Sequence, residues 1–315
     1  MPGQPSRRVL VIGNLDGVHI GHQALLRQAV TLAQAYRARG MACESMAMFF
    51  DPHPAQVLAP KRAADMAPLT TIARRSELLQ AHGIERVFVQ PFDKSFSRLS
   101  PEAFVRDVLI QRLHACAVVV GEDFRFAHQR QGNTALLRRL GDEYVCEVHT
   151  LPAVEQDGAK VSSSTLRALL KEGQVEQLLP LLGRYFSVEG KVVQGAQRGA
   201  ALGFPTANLS DMQTLMPADG VYAVVVQSDA LGQHRLGVAN LGPRPTVDAQ
   251  RAFEVHLLDT EADLYNHSVR VWFIARLRGQ QRFDSLDQLK MQIANDCEHA
   301  RDKLTPFEAI HVLCL

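Results

Sequence analysis

The stretch VLVIGNLDGVHIGHQALL, residues 9–26, sets the fold of the first part of this chain. It begins with four apolar residues, which is typical of a strand buried on both faces of a sheet. Glycines interrupt that run, and the residues that follow predict an amphipathic helix. Apolar residues recur on one face of this helix at Leu25, Ala29, Leu32 and Tyr36, and Gly40 marks its end.

Two histidines, His19 and His22, lie in the first turn of the predicted helix. A helix N-terminus that follows a strand presents N–H groups and a partial positive charge, so it favours phosphate. Imidazoles there could stabilise charge at phosphorus, while Gly13, Gly17 and Gly21 would let the backbone approach a ligand closely. The spacing matches neither the dinucleotide fingerprint nor the P-loop. A helix-capping histidine, a chance pair and a metal-binding pair are the alternatives.

Strand-like and helix-like runs alternate through the first half of the chain. This alternation predicts a parallel sheet with helices on both faces. The strand-like runs are 8–13, 43–50, 86–92 and 116–124, and the helix-like runs after the first are 71–83 and 101–113.

A second candidate phosphate site lies in AKVSSSTLRALLKEG, residues 159–173. Hydroxyls and cations at a helix start suit a triphosphate, because cations neutralise its charge and hydroxyls donate to its oxygens. The alternative is a serine N-cap with a solvated arginine. The candidate residues are Lys160, Ser163, Ser164 and Arg167.

A strand ends in Asp123, Phe124, Arg125 and Phe126. Aromatic and charged side chains at the end of a strand could form a pocket for a planar ligand. The alternative is that the phenylalanines belong to the core and the charges to the surface.

The second half has a different pattern, with short strand-like runs separated by Gly, Pro and Asp after Gly183. This pattern predicts an antiparallel barrel or sandwich. Ser285 and Gln288 form a predicted capping box for one long terminal helix. We therefore expect two domains, 1–183 and 184–315, joined by a linker at 171–184.

Two features of the second half could carry chemistry. The loop in GAQRGAALGFPTANL, residues 195–209, could wrap phosphates, and Thr206 and Asn208 offer hard oxygen ligands for Mg²⁺. The alternative is an ordinary turn. Glu254 lies between Phe253 and Val255, so the period of a strand directs it to the opposite face. There it is either solvent-facing or a carboxylate aimed into a site.

Composition narrows the class of protein. The chain has 315 residues, 46% of them hydrophobic, and a net charge of +1, which gives no general attraction to nucleic acid or anionic membrane. Five scattered cysteines without a C-x-x-C pair argue against a disulfide framework or a zinc site. No run reaches transmembrane length and no signal peptide is recognisable. We expect a cytoplasmic protein with no nucleic-acid or membrane partner, and nothing specifies an oligomeric state.

Several motifs, in order, resemble a known family. GNLDGVHIGH, FDPHP, VVGEDFRFA and VSSSTLR resemble the adenylyltransferase half of bacterial bifunctional riboflavin kinase/FAD synthetases. LGFPTANL, PADGVYAVVV, GVANLGPRPTV, FEVHLLD and LDQLKMQIANDCEHAR resemble the riboflavin kinase half. The resemblance implies a Rossmann-like nucleotidyltransferase domain and a six-stranded antiparallel barrel with a terminal helix. It also implies that ATP phosphorylates riboflavin to FMN and then adenylylates FMN to FAD, releasing pyrophosphate.

The resemblance implies a role for each candidate residue. Glu254 would be the base for the ribityl 5′-hydroxyl, His19 and His22 would stabilise charge during adenylylation, and Thr206 with Asn208 would bind Mg²⁺ and ATP. Further ATP or phosphate contacts would come from Gly13, Asn14, Asp16, Gly21, Asp123, Lys160, Ser163, Ser164, Arg167 and Gly203, and flavin contacts from Phe124, Arg125 and Phe126.

Some positions depart from the family pattern. Ala127 and Gln197 stand where Gly is usual, and a positive φ at Ala127 would be strained. The other departures are Leu15 for Phe, Asn133 for Asp, Ala200 for Arg, and Gln280 where an acidic residue is common. Two further functions stay open: a single-activity adenylyltransferase whose barrel only binds flavin, supported by the altered loop, and a flavin-responsive regulator without catalysis. The intact candidate residues argue against the regulator.

Overall fold

A computed structural model describes the residues 6–63, 66–195, 198–243, 251–260 and 262–307. The chain divides into two units, residues 1–163 and 164–315. Each unit has its own hydrophobic core. Gln197 lies outside the described residues.

A five-stranded parallel sheet forms the centre of the first unit, in the order β3-β2-β1-β4-β5. Central strand β1 contributes fully buried residues to both faces, so the apolar run at residues 9–12 predicted a buried strand correctly. The strands are β1 Arg7–Ile12, β2 Cys43–Asp51, β3 Arg86–Pro91, β4 Ala115–Gly121 and β5 Glu147–Leu151.

Helices cover both faces of this sheet, which confirms the predicted layering. Val9 and Val11 face the core cluster that contains residues of α1 and α4, while Leu10 and Ile12 face the cluster on the other side. The helices are α1 Ile20–Ala38, α2 Pro54–Leu58, α3 Pro60–Ala63, α4 Ile72–Ala81, α5 Pro101–Ala103, which continues as a π-helix over Phe104–Arg112, and α6 Thr134–Glu143. Short 3₁₀ turns lie at Phe96–Arg98 and His128–Arg130.

A small hairpin and a helix follow the sheet. The hairpin pairs β6 Glu155–Gln156 with β7 Ala159–Lys160, and α7 spans Ser163–Glu172. The segment after α7, predicted to be a linker, forms a 3₁₀ turn at Val175–Leu178 and helix α8 at Leu179–Leu182. It is packed within the second unit, where the Glu176 carboxylate accepts a hydrogen bond from the Arg276 backbone N–H at 2.8 Å. The domain boundary at residue 183 stays a prediction.

The second unit is a closed barrel rather than a sandwich, with six antiparallel strands in the order β10-β11-β12-β9-β8-β13. The fold class implied by the sequence is therefore confirmed for both halves. The strands are β8 Phe186–Val193, β9 Ala207–Ser210, β10 Gly220–Gln227, β11 Arg235–Pro243, β12 Arg251–Leu257 and β13 Ser268–Arg278. Short helical pieces are α9 Arg198–Ala201 and the 3₁₀ turns Asp229–Leu231 and Thr305–Phe307.

The terminal helix α10, Leu286–Leu304, packs against the outside of the barrel. Its cap is as predicted, because the Ser285 hydroxyl accepts from the Gln288 N–H at 3.2 Å. The Gln288 side chain reaches back to the N–H of Asp284 at 3.1 Å. Within the part of the chain described here, no helix has the length and apolar character needed to cross a membrane.

Candidate active sites

The loop after β1 ends at His19, which is the N-cap of α1. Its Nδ1 accepts a hydrogen bond from the His22 N–H at 3.3 Å. Because that contact uses the Nδ1 lone pair, the proton of the imidazole lies on Nε2. His19 is thus a capping histidine, and its Nε2–H is also the kind of donor that a phosphate oxygen requires.

The two imidazoles are stacked, with ring centroids 3.6 Å apart and planes inclined by 18°. Lone pairs of ring nitrogens lie in the ring plane, so two nearly parallel rings do not direct them at one point. This arrangement does not suit a metal pair, and the described residues contain no group of three or more His, Cys, Asp or Glu that could hold a metal. Gly21 permits the stack, because a Cβ there would lie 3.1 Å from the His19 ring.

A buried ion pair fixes the middle of the loop. The Asp16 carboxylate is 1% exposed and pairs with Arg75, which lies at 2.7 Å and comes from α4. It also accepts from the backbone N–H groups of Leu69 and Thr70 and from the Thr70 hydroxyl. Arg75 donates to the Asn14 carbonyl at 3.0 Å as well. These contacts occupy the carboxylate with protein donors and give Asp16 a role in holding the loop.

The other residues expected to bind phosphate during adenylylation lie after β4 and around the start of α7. The Ser163 hydroxyl donates to the backbone carbonyl of Asp16 at 2.9 Å, so the start of α7 is tied to the histidine loop. Lys160 Nζ lies 2.6 Å from the Asp123 carboxylate. The hydrogen bond between the two groups lowers the pKa of Asp123 and raises the pKa of Lys160. Both side chains are more than half exposed, so the pair contributes at most about 1 kcal/mol. Ser164 and Arg167 follow in α7, within the second unit.

The three residues expected to bind flavin differ in exposure. Phe126 is 6% exposed and packs against Phe104 with ring centroids 5.4 Å apart, so it belongs to the core. Phe124 is half-buried and stacks on Phe126, while Arg125 is exposed. Of the three, Phe124 and Arg125 therefore offer more surface to a ligand than Phe126.

Two departures from the family pattern have clear structural consequences. Ala127 has φ +64° and ψ −168°, a region in which side chains are strained by about 1–3 kcal/mol. The strain expected from its replacement of Gly is therefore present. Asn133 caps α6 by accepting from the Leu136 N–H at 2.8 Å, so it keeps the capping function of an Asp without the charge. Leu15, an apolar exchange for the usual Phe, is fully buried.

In the second unit, the candidate base lies in a row of polar side chains on adjacent strands. Glu254 on β12 is directly opposite Asn208 on β9 and opposite Asn240 on β11. Directly opposed residues share a face and have Cβ atoms about 5 Å apart. Phe253 and Val255 are buried on the other face, as the alternation predicted.

The loop before β9 packs closely on the candidate metal ligands. A Cβ at Gly195 would lie 2.2 Å from the Asn208 side-chain amide, so any larger residue there would displace that amide. A Cβ at Gly199 would lie 2.4 Å from the Phe204 carbonyl oxygen and 3.2 Å from the Thr206 hydroxyl. Gly203 has φ +88°, a conformation that favours glycine. Ala200 is exposed, in the short helix α9.

A pocket of about 520 Å³ opens beside Thr206. It is lined in part by Thr206, Ala207 and Val255, so one of the two candidate metal ligands lies at its wall. The remaining lining includes Leu257, Leu264 and Tyr265. Thr206 and Asn208 supply a hydroxyl and an amide oxygen, which fit Mg²⁺ because this ion is held by few protein oxygens together with substrate phosphates.

Sequence reasoning missed Arg75, Thr70 and Asn240. Arg75 stands 59 residues from its partner Asp16, and no local pattern links the two. The sequence could have indicated Asn240, because it is the one polar residue between Leu236 and Pro243 in a strand of apolar residues.

Comparisons with known proteins agree on the family. The family model for FAD synthetase matches residues 1–165, and the family model for riboflavin kinase matches residues 182–304. The chain is 39% identical over 296 residues to the bifunctional riboflavin kinase/FMN adenylyltransferase of Escherichia coli K12, covering 93% of this chain and 92% of that protein. It is 37% identical over 300 residues to the protein of that name from Pseudomonas fluorescens, covering 95% and 93%.

A solved structure shares the whole fold. The crystal structure of a macrolide-efflux protein from Streptococcus pneumoniae matches with a TM-score of 0.85 and 33% identity, covering 95% of both chains. Its name differs from the names of the curated relatives, and it describes that protein only.

Proposed function

Because this chain belongs to the bifunctional riboflavin kinase/FMN adenylyltransferase family and makes FMN and FAD, we propose which of its residues perform each step. Both family models match, so the single-activity and regulator alternatives lose their support. ATP is the phosphoryl donor in one step and the adenylyl donor in the other.

FMN adenylylation is assigned to the histidine loop of the first unit. The FMN phosphate oxygen attacks the α-phosphorus of ATP, and the bond to the β-phosphate oxygen breaks as pyrophosphate leaves. The nucleophile is already an anion, so this step requires positioning and charge stabilisation rather than a base. His19 Nε2–H, His22 and the N-terminus of α1 would supply donors to the charge that develops at phosphorus.

Other residues of this step bind the remaining phosphates. Lys160 and Arg167 would neutralise charge on the leaving pyrophosphate, and the hydroxyls of Ser163 and Ser164 would donate to its oxygens. The Ser163 hydroxyl donates its one proton to the Asp16 carbonyl, which keeps it beside the loop, and it would exchange this bond for one to a phosphate oxygen when ATP binds. The other expected contacts are Gly13, Asn14, Gly21 and Asp123 for ATP, and Phe124 and Arg125 for flavin.

Riboflavin phosphorylation is assigned to the polar row on the barrel. Glu254 would take the proton of the ribityl 5′-hydroxyl as that oxygen attacks the γ-phosphorus and ADP leaves. A hydroxyl is a weak nucleophile, so a base is useful here. Thr206 and Asn208 would hold Mg²⁺, which would neutralise phosphate charge when bound, and Gly203 would let the loop approach the phosphates. The cross-strand pairing of Glu254 with Asn208 is the observation that supports this assignment, because the two side chains share one face of the barrel.

The cytoplasm is the compartment that we propose. The four described cysteines, at 43, 116, 146 and 297, are buried free thiols. Burial raises the pKa of Cys116 and Cys146 to about 12. A set of protonated, unpaired thiols suits a reducing compartment.

Selective variants test the allocation of the two reactions. Glu254→Gln should lower the kcat of riboflavin phosphorylation by about 10²–10⁴-fold, the usual loss for a general base. Formation of FAD from supplied FMN should stay at the wild-type rate. The matched control is Glu298→Gln, which changes an exposed carboxylate on α10. Unchanged kinase kcat in Glu254→Gln would remove Glu254 from the mechanism.

A further inference from the structure

We propose that Asn240, held in orientation by Gln280, is a positioning residue for riboflavin phosphorylation. The inference rests on the proposed role of Glu254 as the base. Asn240 is opposite Glu254 in the register of β11 and β12, so the two side chains share the outer face of the barrel with Asn208. Asn240 is therefore the nearest polar neighbour of Glu254 on the side away from the candidate metal ligand.

The hydrogen bonds of Gln280 determine which way the Asn240 amide is turned. Gln280 Nε2 donates to the backbone carbonyl of Leu241 at 2.5 Å, and a carbonyl oxygen can only accept. The same nitrogen lies 2.9 Å from the Asn240 side chain, so the Asn240 atom in that contact must be Oδ1, the acceptor. The Asn240 NH₂ group is consequently on the other arm of the amide, where it can donate to the Glu254 carboxylate or to the oxygen that Glu254 activates.

Gly242 makes room for this arrangement. A Cβ at position 242 would lie 2.7 Å from Gln280 Nε2 and 3.0 Å from its Cδ. The nearest atoms belong to the end of a flexible side chain, so an alanine at position 242 would displace the Gln280 amide without a backbone collision. Gly242→Ala thus perturbs the pair without changing either of its members.

An amide donor beside the base has a definite task. It holds one oxygen of the Glu254 carboxylate so that the other oxygen faces the ribityl hydroxyl. The carboxylate is then already oriented for proton transfer when riboflavin binds. Hydrogen bonds to charged groups contribute about 1.5–3 kcal/mol, which corresponds to about 10–100-fold in rate when the bond acts in the transition state.

The test compares five variants in one assay, with FMN formation from riboflavin as the readout. Asn240→Asp is the decisive variant, because its carboxylate still accepts from Gln280 but has no N–H to offer. We expect Asn240→Asp and Asn240→Ala to lower the kinase kcat about tenfold or more, with a smaller change in the KM for riboflavin. Gln280→Ala and Gly242→Ala should lower kcat less, and Asn240→Ala/Gln280→Ala should be no slower than Asn240→Ala alone, because the two residues act as one unit.

Two controls separate positioning from general damage. FAD formation from supplied FMN is measured in the same protein samples and should not change. Gln233→Ala removes an exposed glutamine from the same unit and should leave both reactions at the wild-type rate. A urea transition moved to lower concentration in the Asn240 variants, followed by the fluorescence of Trp272 in the same unit, would indicate damage to the barrel and overturn the inference.

Other results would also overturn it. A kinase kcat in Asn240→Asp within about twofold of wild type would show that the N–H donor is not used. Additive losses in the double variant would show that Gln280 does not act through Asn240. Glu254→Gln, measured beside these variants, distinguishes failure of the proposed function from failure of this inference. A normal kinase rate in Glu254→Gln refutes the proposed role of Glu254. A reduced rate in Glu254→Gln together with a normal rate in Asn240→Asp refutes this inference alone.

Discussion

The buried pair between Asp16 and Arg75 gives the sharpest prediction about stability. In Arg75→Met the Asp16 carboxylate stays buried, at 1% exposure, and loses its cationic partner. Breaking such a pair costs about 3–5 kcal/mol. The variant also loses the hydrogen bond to the Asn14 carbonyl and the contact of the guanidinium with the Phe49 ring, 4.9 Å from its centroid. Because Leu69 and Thr70 still donate to Asp16, we expect the lower end of that range, about 3 kcal/mol.

Unfolding of the two units can be followed with different spectroscopic signals. Its one tryptophan, Trp272, is buried in β13 of the second unit, so its fluorescence reports unfolding of the barrel. Far-UV circular dichroism reports mainly helix, including α1 and α4 of the first unit. In urea, Arg75→Met should move the circular dichroism transition to lower concentration and leave the fluorescence transition near that of wild type.

Two further variants control this prediction. Arg27→Met changes an exposed arginine on α1 and should alter the free energy of unfolding by no more than about 0.5 kcal/mol. Arg75→Lys keeps a charge but loses the planar fork that reaches both Asp16 and Asn14, so an intermediate loss is expected. If Arg75→Met unfolds at the same urea concentration as Arg27→Met, the pair does not hold the loop and the reasoning is wrong.

Three other predictions follow from single features. Ala127→Gly should stabilise the first unit by about 1 kcal/mol in urea titrations, since it relieves a strained φ of +64° at some entropic cost; a loss of stability would contradict the strain. Thr206→Ala and Asn208→Ala should each raise the Mg²⁺ concentration needed for half-maximal kinase rate, because a hard oxygen ligand is gone, and an unchanged titration would make the loop structural. Residues 184–315 alone should fold and phosphorylate riboflavin, and if this fragment folds without kinase activity the domain boundary must be moved. Residues 164–315 should melt at a higher temperature than residues 184–315, because they keep buried apolar residues that precede position 184.

Local patterns in the sequence predicted the central parts of both units. The apolar run at β1, the helical spacing of α1 and the capping serine of α10 depend on residues near one another, so they are visible in sequence. Strand β5, Glu147–Leu151, was missed because it lies at the edge of the sheet and mixes polar with apolar residues, so it has no continuous apolar run. Strand β9, Ala207–Ser210, was missed because residues 195–209 were interpreted as a phosphate-binding loop with Asn208 as a metal ligand.

Contacts between distant residues explain what the sequence did not predict. Asp16 was expected to bind phosphate, yet its oxygens accept from residues 69–75, which no local spacing indicates. Phe126 was expected at the flavin and packs against Phe104 in the core, so its contact with flavin stays a prediction. The role of Gln280 depends on a hydrogen bond to Asn240, 40 residues earlier in the chain.

One time course tests the central claim, that the histidine loop serves FMN adenylylation and the polar row on the barrel serves riboflavin phosphorylation. Wild type, Glu254→Gln and His22→Ala are each incubated with riboflavin, ATP and Mg²⁺, and the products are separated by chromatography, with His299→Ala as an exposed control. The account predicts that wild type and the control make FAD, that His22→Ala accumulates FMN, and that Glu254→Gln makes little FMN but converts supplied FMN to FAD at the wild-type rate. Loss of both reactions in either variant, while circular dichroism shows a folded protein, would contradict it.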